Sequence, residues 1–303
     1  MSMHPEKIVV GKKLVWPRKP YLPNADMMVE FVAQEEVLKM VAAAWLSGAY
    51  SQPLSPLLVG PPGCGKNRLV YEMAQRMGLD LYVCQGYENI TAEELACSLV
   101  VADEGHGRIE YLLSAPATAL LKGGICFIDE IGKFPGKALA LLASVLDDRK
   151  YIDLDLIGER IQAHPQFRFI AATNSEDVET LPDFIRSRLF PIIRVEKPAP
   201  ELINNIIQRQ FPHQHETIGK LLSTFWRLWD QNSEIGESPS PRHVIQIFSL
   251  ASKLADFNEL ASGGQTNWCD VPLEHGTATS RISEEHLECA FEQFLELREE
   301  MAC

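Results

Sequence analysis

Gly60-Pro61-Pro62-Gly63-Cys64-Gly65-Lys66-Asn67 decides how this chain is read. The stretch follows the phosphate-loop pattern G-x-x-x-x-G-K-[ST] through Lys66 and then places an amide where a hydroxyl is expected. Glycines at 60, 63 and 65 let backbone N–H groups turn inward around an anion. The helix that follows presents its positive end, and Lys66 adds a charge for the β- and γ-phosphates. Context supports this. Residues 56–60 form a short apolar run of strand type, and Leu69, Val70, Met73, Ala74 and Met77 recur on one helical face before Gly78 stops the helix. The sequence therefore predicts a nucleotide site built from Gly60, Pro61, Pro62, Gly63, Cys64, Gly65, Lys66 and Asn67.

Working outward, two further apolar runs end in polar groups. Ile125-Cys-Phe-Ile-Asp129-Glu130 has the form of a buried strand that delivers two carboxylates to its C-terminal edge, where ligands of parallel sheets bind. Asp129 suits a Mg²⁺ shell and Glu130 suits the polarisation of an attacking water. Phe167-Arg-Phe-Ile-Ala-Ala-Thr-Asn174 repeats the design, with Asn174 placed to orient a water or contact a γ-phosphate. Leu181-Pro-Asp-Phe-Ile-Arg186-Ser-Arg188-Leu-Phe190 sets two arginines among apolar residues; they are either locally paired or presented at a subunit edge as a finger. Ser238-Pro-Ser-Pro241-Arg242 puts an Arg at the start of a helix.

Between these runs, helical patterning is expected over 26–45, 91–99, 111–121 and 137–146, strands over 79–84, 125–128 and 167–172, and a hairpin over 151–162. Strands separated by helices imply a parallel sheet. After Pro198 and Pro200 the pattern is helical only. Three parts are expected: an extended arm over 1–26, rich in Pro and Lys, that wraps a neighbour, lies on its own domain or is disordered; an α/β nucleotide-binding domain over 27–197; and a smaller all-helical domain over 198–303, with a surface loop at 261–280.

Composition narrows the classes. Of 303 residues, 28 are Lys or Arg and 41 are Asp or Glu, so the net charge of -13 disfavours a sequence-independent grip on nucleic acid. Seven cysteines without a C-x-x-C pair point to reduced core thiols and a cytoplasmic protein. There is no signal-peptide pattern, and no apolar run long enough to span a membrane. His213 and His215 flank a Gln in a polar turn without a third ligand, so no metal site is expected there.

The order of "GPPGCGKN", "ICFIDE", "FIAATN", "LPDFIRSRLF" and "SPSPRH" resembles that of an AAA+ ATPase. The phrases "LLKGGICFIDEIGK", "ASVLDDRKYIDL" and "GERIQAHPQFRFIAATN" are most similar to the MoxR-like branch, with its dynein-related and NorQ/CbbQ-like relatives. The resemblance spans about residues 31–257. It implies ATP and Mg²⁺ as cofactors, a homo-oligomeric ring, usually a hexamer, with nucleotide at the subunit interface, a helical lid domain, and hydrolysis that remodels or matures a client protein, often one with a von Willebrand A domain. By position in the motifs, Lys66 contacts phosphate, Asp129 the metal, Glu130 the water, Asn174 the γ-phosphate, Arg242 the phosphates in cis, and Arg188, or failing that Arg186, the neighbour's nucleotide. Residues 151–162 correspond to the pre-sensor hairpin near the pore.

Asn67 departs from the family. Its amide oxygen is also a hard ligand, but it is bulkier and sits further along the side chain than a hydroxyl. Nucleotide binding through the loop and Lys66 is expected to survive, and hydrolysis to be the property at stake. Two rival readings remain: a nucleic-acid-directed NTPase of the same fold, and a scaffold that binds ATP without hydrolysing it.

Overall fold

The functional loops hang from one five-stranded parallel sheet. The computed structural model describes residues 6–23, 34–48, 51–101, 109–233, 238–262 and 280–302. From the N-terminus the elements are β1 (Ile8–Val10), β2 (Lys13–Trp16), α1 (Glu35–Ala44), β3 (Leu57–Val59), α2 (Lys66–Met77), β4 (Leu81–Gln85), α3 (Ala92–Ala96), β5 (Cys97–Val101) and β6 (Ile109–Leu113). Next come α4 (Ala115–Lys122), β7 (Gly124–Asp129), α5 (Gly136–Leu146), β8 (Tyr151–Leu154), β9 (Glu159–Gln162), β10 (Phe167–Thr173), α6 (Asp183–Arg186) and β11 (Ile192–Arg194). The helices α7 (Pro200–Gln210), α8 (Ile218–Asn232), α9 (Pro241–Ser262) and α10 (Glu284–Ala302) complete the chain.

The chain divides into two units, residues 1–196 and 197–303. In the first, the parallel strands lie in the order β11-β3-β10-β7-β4. Their side chains alternate between two cores, as the period of a strand requires. Cys126, Ile128, Phe169 and Ala171 face the core shared with α3, α4 and α5, while Ile125, Phe127, Ile170 and Ala172 face α1 and α2. Strands buried on both faces are near-continuous apolar runs, which is why β7 and β10 stand out in the sequence. All five strands point the same way, so the loops after β3, β7 and β10 gather at one edge.

Residues 6–23 do not form a bare extended arm. β1 and β2 make an antiparallel hairpin, and β2 pairs in parallel with β6, giving a four-stranded sheet in the order β1-β2-β6-β5 that packs Val10 and Val15 into the first core. The apolar runs Ile8-Val-Val and Leu14-Val-Trp either side of Gly11 carry this, and Pro17, Pro20 and Pro23 lie beyond it.

Two helical expectations are also corrected. Thr91 closes a capping box with Glu94, yet α3 stops at Ala96, and the run Cys97–Val101, which ends in two β-branched valines, pairs with β6. Residues 111–113 belong to that strand pair, and α4 starts only after Ser114, whose hydroxyl accepts from the Ala117 N–H with Pro116 in the first turn. The hairpin expected at 151–162 is present as β8 and β9. Most of the helix expected before residue 35 lies outside the described residues, as does 263–279 of the expected surface loop; 261 and 262 end α9.

The second unit is helical. Phe225, fully buried, has ring neighbours in Trp226, Trp229, Phe248 and Phe291, so α8, α9 and α10 close on one aromatic centre. Among the described residues, no helix is long and apolar enough to cross a membrane. Cys64, Cys97 and Cys126 are buried and Cys84 is half-buried, all as free thiols, and Cys289 is exposed; Cys269 and Cys303 lie outside the described residues.

Candidate nucleotide site

Gly65 stands at the N-cap of α2 with φ 103°, a conformation that a side chain would strain, and no side chain caps the helix. The first-turn amides of α2 are therefore not taken up by a capping side chain. Lys66 is 8% exposed, and its ammonium donates to the carbonyls of Gly60 (2.6 Å) and Pro61 (3.1 Å) and to Asn174 Oδ1 (3.1 Å). The β3 and β10 loops are thus joined through one cation.

The β7 edge comes in beside them. Asn67 Nδ2 donates to Asp129 Oδ2 at 2.6 Å. Burial pushes the Asp129 carboxyl above its ordinary range, opposed by that hydrogen bond and by the Lys66 charge. Glu130 leaves the strand in a left-handed conformation, φ 54°, and its carboxylate pairs with Lys133 at 2.6 Å. Close to both, Gly86 follows β4 and donates its N–H to the Asp129 carbonyl at 2.7 Å. A Cβ built there would stand 2.1 Å from the Glu130 carbonyl oxygen, so only glycine lets the edge strand approach.

The structure brings together Lys66, Asn67, Asp129 and Asn174, with Glu130 next to Asp129. Arg186 is paired with Asp183 of its own helix, and Arg188 donates to the Phe184 carbonyl and lies in the field of Asp147. The Arg188 Nε is buried without a partner among the described residues. Arg242 is exposed in the first turn of α9, in the helical unit. His213 and His215 are exposed, and no cluster of three metal-ligating side chains occurs among the described residues.

Sequence reasoning missed Gly86 and two tyrosines. Tyr71, one helical turn beyond Asn67, is 8% exposed, and its ring centroid lies 5.2 Å from that of Tyr21. The i, i+4 spacing of Asn67 and Tyr71 was the only signal available; nothing in the sequence pointed to Tyr21.

Residues 55–189 match the family model of the AAA domain, dynein-related subfamily. The chain carries an AAA domain. Beyond that segment, the chain is 29% identical to Protein NorQ of Paracoccus denitrificans over 77% of its own length and 81% of the relative's. It is 29% identical to Protein CbbQ of Hydrogenophilus thermoluteolus over 68% and 77%. A shorter match, 31% identical over 45% of this chain and 50% of the relative, is to the denitrification regulatory protein NirQ of Pseudomonas aeruginosa. Among solved structures, the Thermotoga maritima RuvB branch migration motor superposes with a TM-score of 0.53 at 18% identity, covering 87% of this chain and 70% of that one. The FIGL-1 AAA domain in complex with ADP gives 0.52 at 14%, covering 91% and 85%. At these identities the likeness shows the fold, that of the AAA+ P-loop ATPases.

The AAA domain's phosphate loop fits a nucleotide: an uncapped helix start, a left-handed Gly65 and a buried ammonium converge on one place. Asn67 and Asp129 supply hard oxygen ligands of the kind Mg²⁺ takes, although Asn67 directs its nitrogen, not its oxygen, at Asp129.

Proposed function

We propose that this AAA domain binds and hydrolyses ATP in a homo-oligomeric ring, with six subunits as the expected number, and uses the turnover to remodel or mature a client protein. The observation that carries the reading is the convergence at one sheet edge: Lys66 joins the P-loop to Asn174, while Asn67 joins it to Asp129. Lys66 binds phosphate, and Asn174, already hydrogen-bonded to it, registers the γ-position. Glu130 takes a proton from the attacking water once its pair with Lys133 opens. A Mg²⁺ held at Asn67 and Asp129 supplies neutralisation of phosphate charge.

Support for assembly comes from the segment around Arg188. Phe184, Phe190 and Ile192 are 40%, 61% and 48% exposed beside it, an apolar edge suited to a second copy. In the ring Arg188 completes a neighbour's site, and Arg186, held by Asp183, is the second choice. The net charge of -13 argues for a protein client over nucleic acid. The regulatory role in the name of one relative agrees with action on other proteins, and a von Willebrand A protein is the client class first to be tried.

The test is ATP turnover by the full chain with Mg²⁺, together with sizing in the presence of a slowly hydrolysed ATP analogue. Phosphate release and a shift to a larger species are expected. Binding and assembly without any turnover would replace the engine by an ATP-dependent clamp, and a monomer under all conditions would refute the ring.

A further inference from the structure

The parallel sheet ends in β4, and one side of that strand is open. Ile125 N–H donates to the Asp80 carbonyl at 2.8 Å and Gly86 N–H to the Asp129 carbonyl at 2.7 Å, so the backbone groups of residues 80, 82, 84 and 86 turn towards β7. Those of Leu81, Val83 and Gln85 turn away from it. The Leu81 carbonyl accepts from Tyr21 N–H at 2.7 Å, and among the described residues this is the one backbone bond from the N-terminal segment to the strand. Pro20 has no N–H to give, and Arg18 gives its own to Thr118 Oγ1 on α4 at 3.0 Å. The N–H and C=O groups of Val83 and Gln85 therefore have no protein partner among the described residues.

A cavity of about 590 Å³ is lined by this stretch of β4 together with the N-terminal segment from Arg18 to Leu22. Its chemistry selects what can enter. Arg18 and Lys19 are exposed in the lining and make no ion pair among the described residues. The acid of the lining, Glu94, is already engaged, since it accepts from Thr91 N–H at 2.8 Å and from the Tyr87 hydroxyl at 3.3 Å. On a chain of net charge -13, this groove offers two cations that nothing described answers. An extended segment laid along the edge would bond at Val83 and Gln85, with its acids facing Arg18 and Lys19. Two copies joined edge to edge would instead bring their cationic walls together, which like charge opposes. We infer that the open edge of β4 is a docking site for an extended acidic segment of a partner protein, added to the sheet as a further strand. The inference is independent of the nucleotide reading.

The experiment is fluorescence anisotropy of a short labelled peptide of alternating glutamate and valine, titrated with the full chain in the absence of nucleotide. A peptide with lysine in place of glutamate is the control. Saturable binding with a Kd of about 100 μM or tighter is expected for the acidic peptide, weakening as salt is added. Val83→Pro removes an outward N–H while leaving the ladder to β7 intact, as proline on an edge strand allows, and is expected to weaken binding about 2- to 10-fold. Reversing both charges, Arg18→Glu with Lys19→Glu, alters exposed side chains only and is expected to make the lysine peptide the better ligand. A melting curve for each variant separates loss of the edge from loss of the fold. No saturable binding by wild type overturns the proposal, as does equal binding of the two peptides or an unchanged preference in the charge-reversed variant. Self-association of wild type that Val83→Pro abolishes would also overturn it, by giving the edge to a second copy. None of these outcomes touches ATP binding, which is measured separately.

Discussion

Gly86→Ala tests whether the edge strand positions the acidic end of β7. The new Cβ would meet the Glu130 carbonyl oxygen at 2.1 Å, the Glu130 carbonyl carbon at 2.8 Å and the Asp129 oxygen at 3.0 Å. All three are backbone atoms, so no flexible side chain can swing aside. Restoring an ordinary contact of about 3.5 Å needs a separation of roughly 1.4 Å between the end of β4 and the 129–130 peptide. Such overpacking costs about 1–3 kcal/mol. For a protein of this size that lowers the melting temperature by about 2–4 °C per kcal/mol, or about 2–12 °C in all. The displacement falls on Asp129 and Glu130, where a shift of that size reduces turnover by about 10²-fold. Gly136→Ala is the control, because a Cβ there meets nothing within 4 Å at the start of α5. The readouts are a thermal melt and steady-state phosphate release. Wild-type turnover with an unshifted melt in Gly86→Ala would falsify the argument that this glycine is set by close approach.

Glu130→Gln is expected to bind nucleotide and assemble while turnover falls by about 10²- to 10⁴-fold; turnover at the wild-type rate would exclude Glu130 as the proton acceptor. Because burial holds Asp129 protonated to higher pH than in the unfolded chain, its stabilising share is full below about pH 4 and is lost as pH rises through the folded-state value. Asp129→Asn should thus melt higher than wild type at pH 7 and converge with it towards pH 4, and a gap independent of pH would refute this. Phe225→Ala, which empties the aromatic centre of the helical unit, is expected to destabilise that unit by about 3–5 kcal/mol in urea titration, and a loss below about 1 kcal/mol would mean that the centre collapses to fill the space.

How far the sequence could be read follows from what each element depends on. The P-loop, the β7 and β10 runs and the helices after residue 197 depend on local spacing, so they were legible. The four-stranded sheet depends on pairing between distant segments, and its strands are short: Ile8-Val-Val carries too few residues to show a period against the prolines that follow. At 91–99 a real capping box started a helix and masked the strand behind it, because the same apolar residues satisfy both periods over so few positions. In the site, residue types gave Lys66, Asp129, Glu130 and Asn174. They did not give the direction of the Asn67 amide, which is set by the carboxylate it meets, nor Gly86, whose requirement comes from a neighbouring strand.

The parallel pairing of β2 with β6 also bears on how the chain is made. Arg18 and its partner Thr118 are separated by 100 positions, and β2 finds β6 across almost the same interval. At about 5–20 residues per second, the ribosome releases the first strands some 5–20 s before their partner. During that wait the β1–β2 hairpin is a two-stranded ribbon with an open side, too small to be stable alone and a template for other chains. A fusion at the N-terminus that shields this ribbon, or a chaperone acting on the nascent chain, would therefore change the yield of folded protein more than any change to the finished sheet.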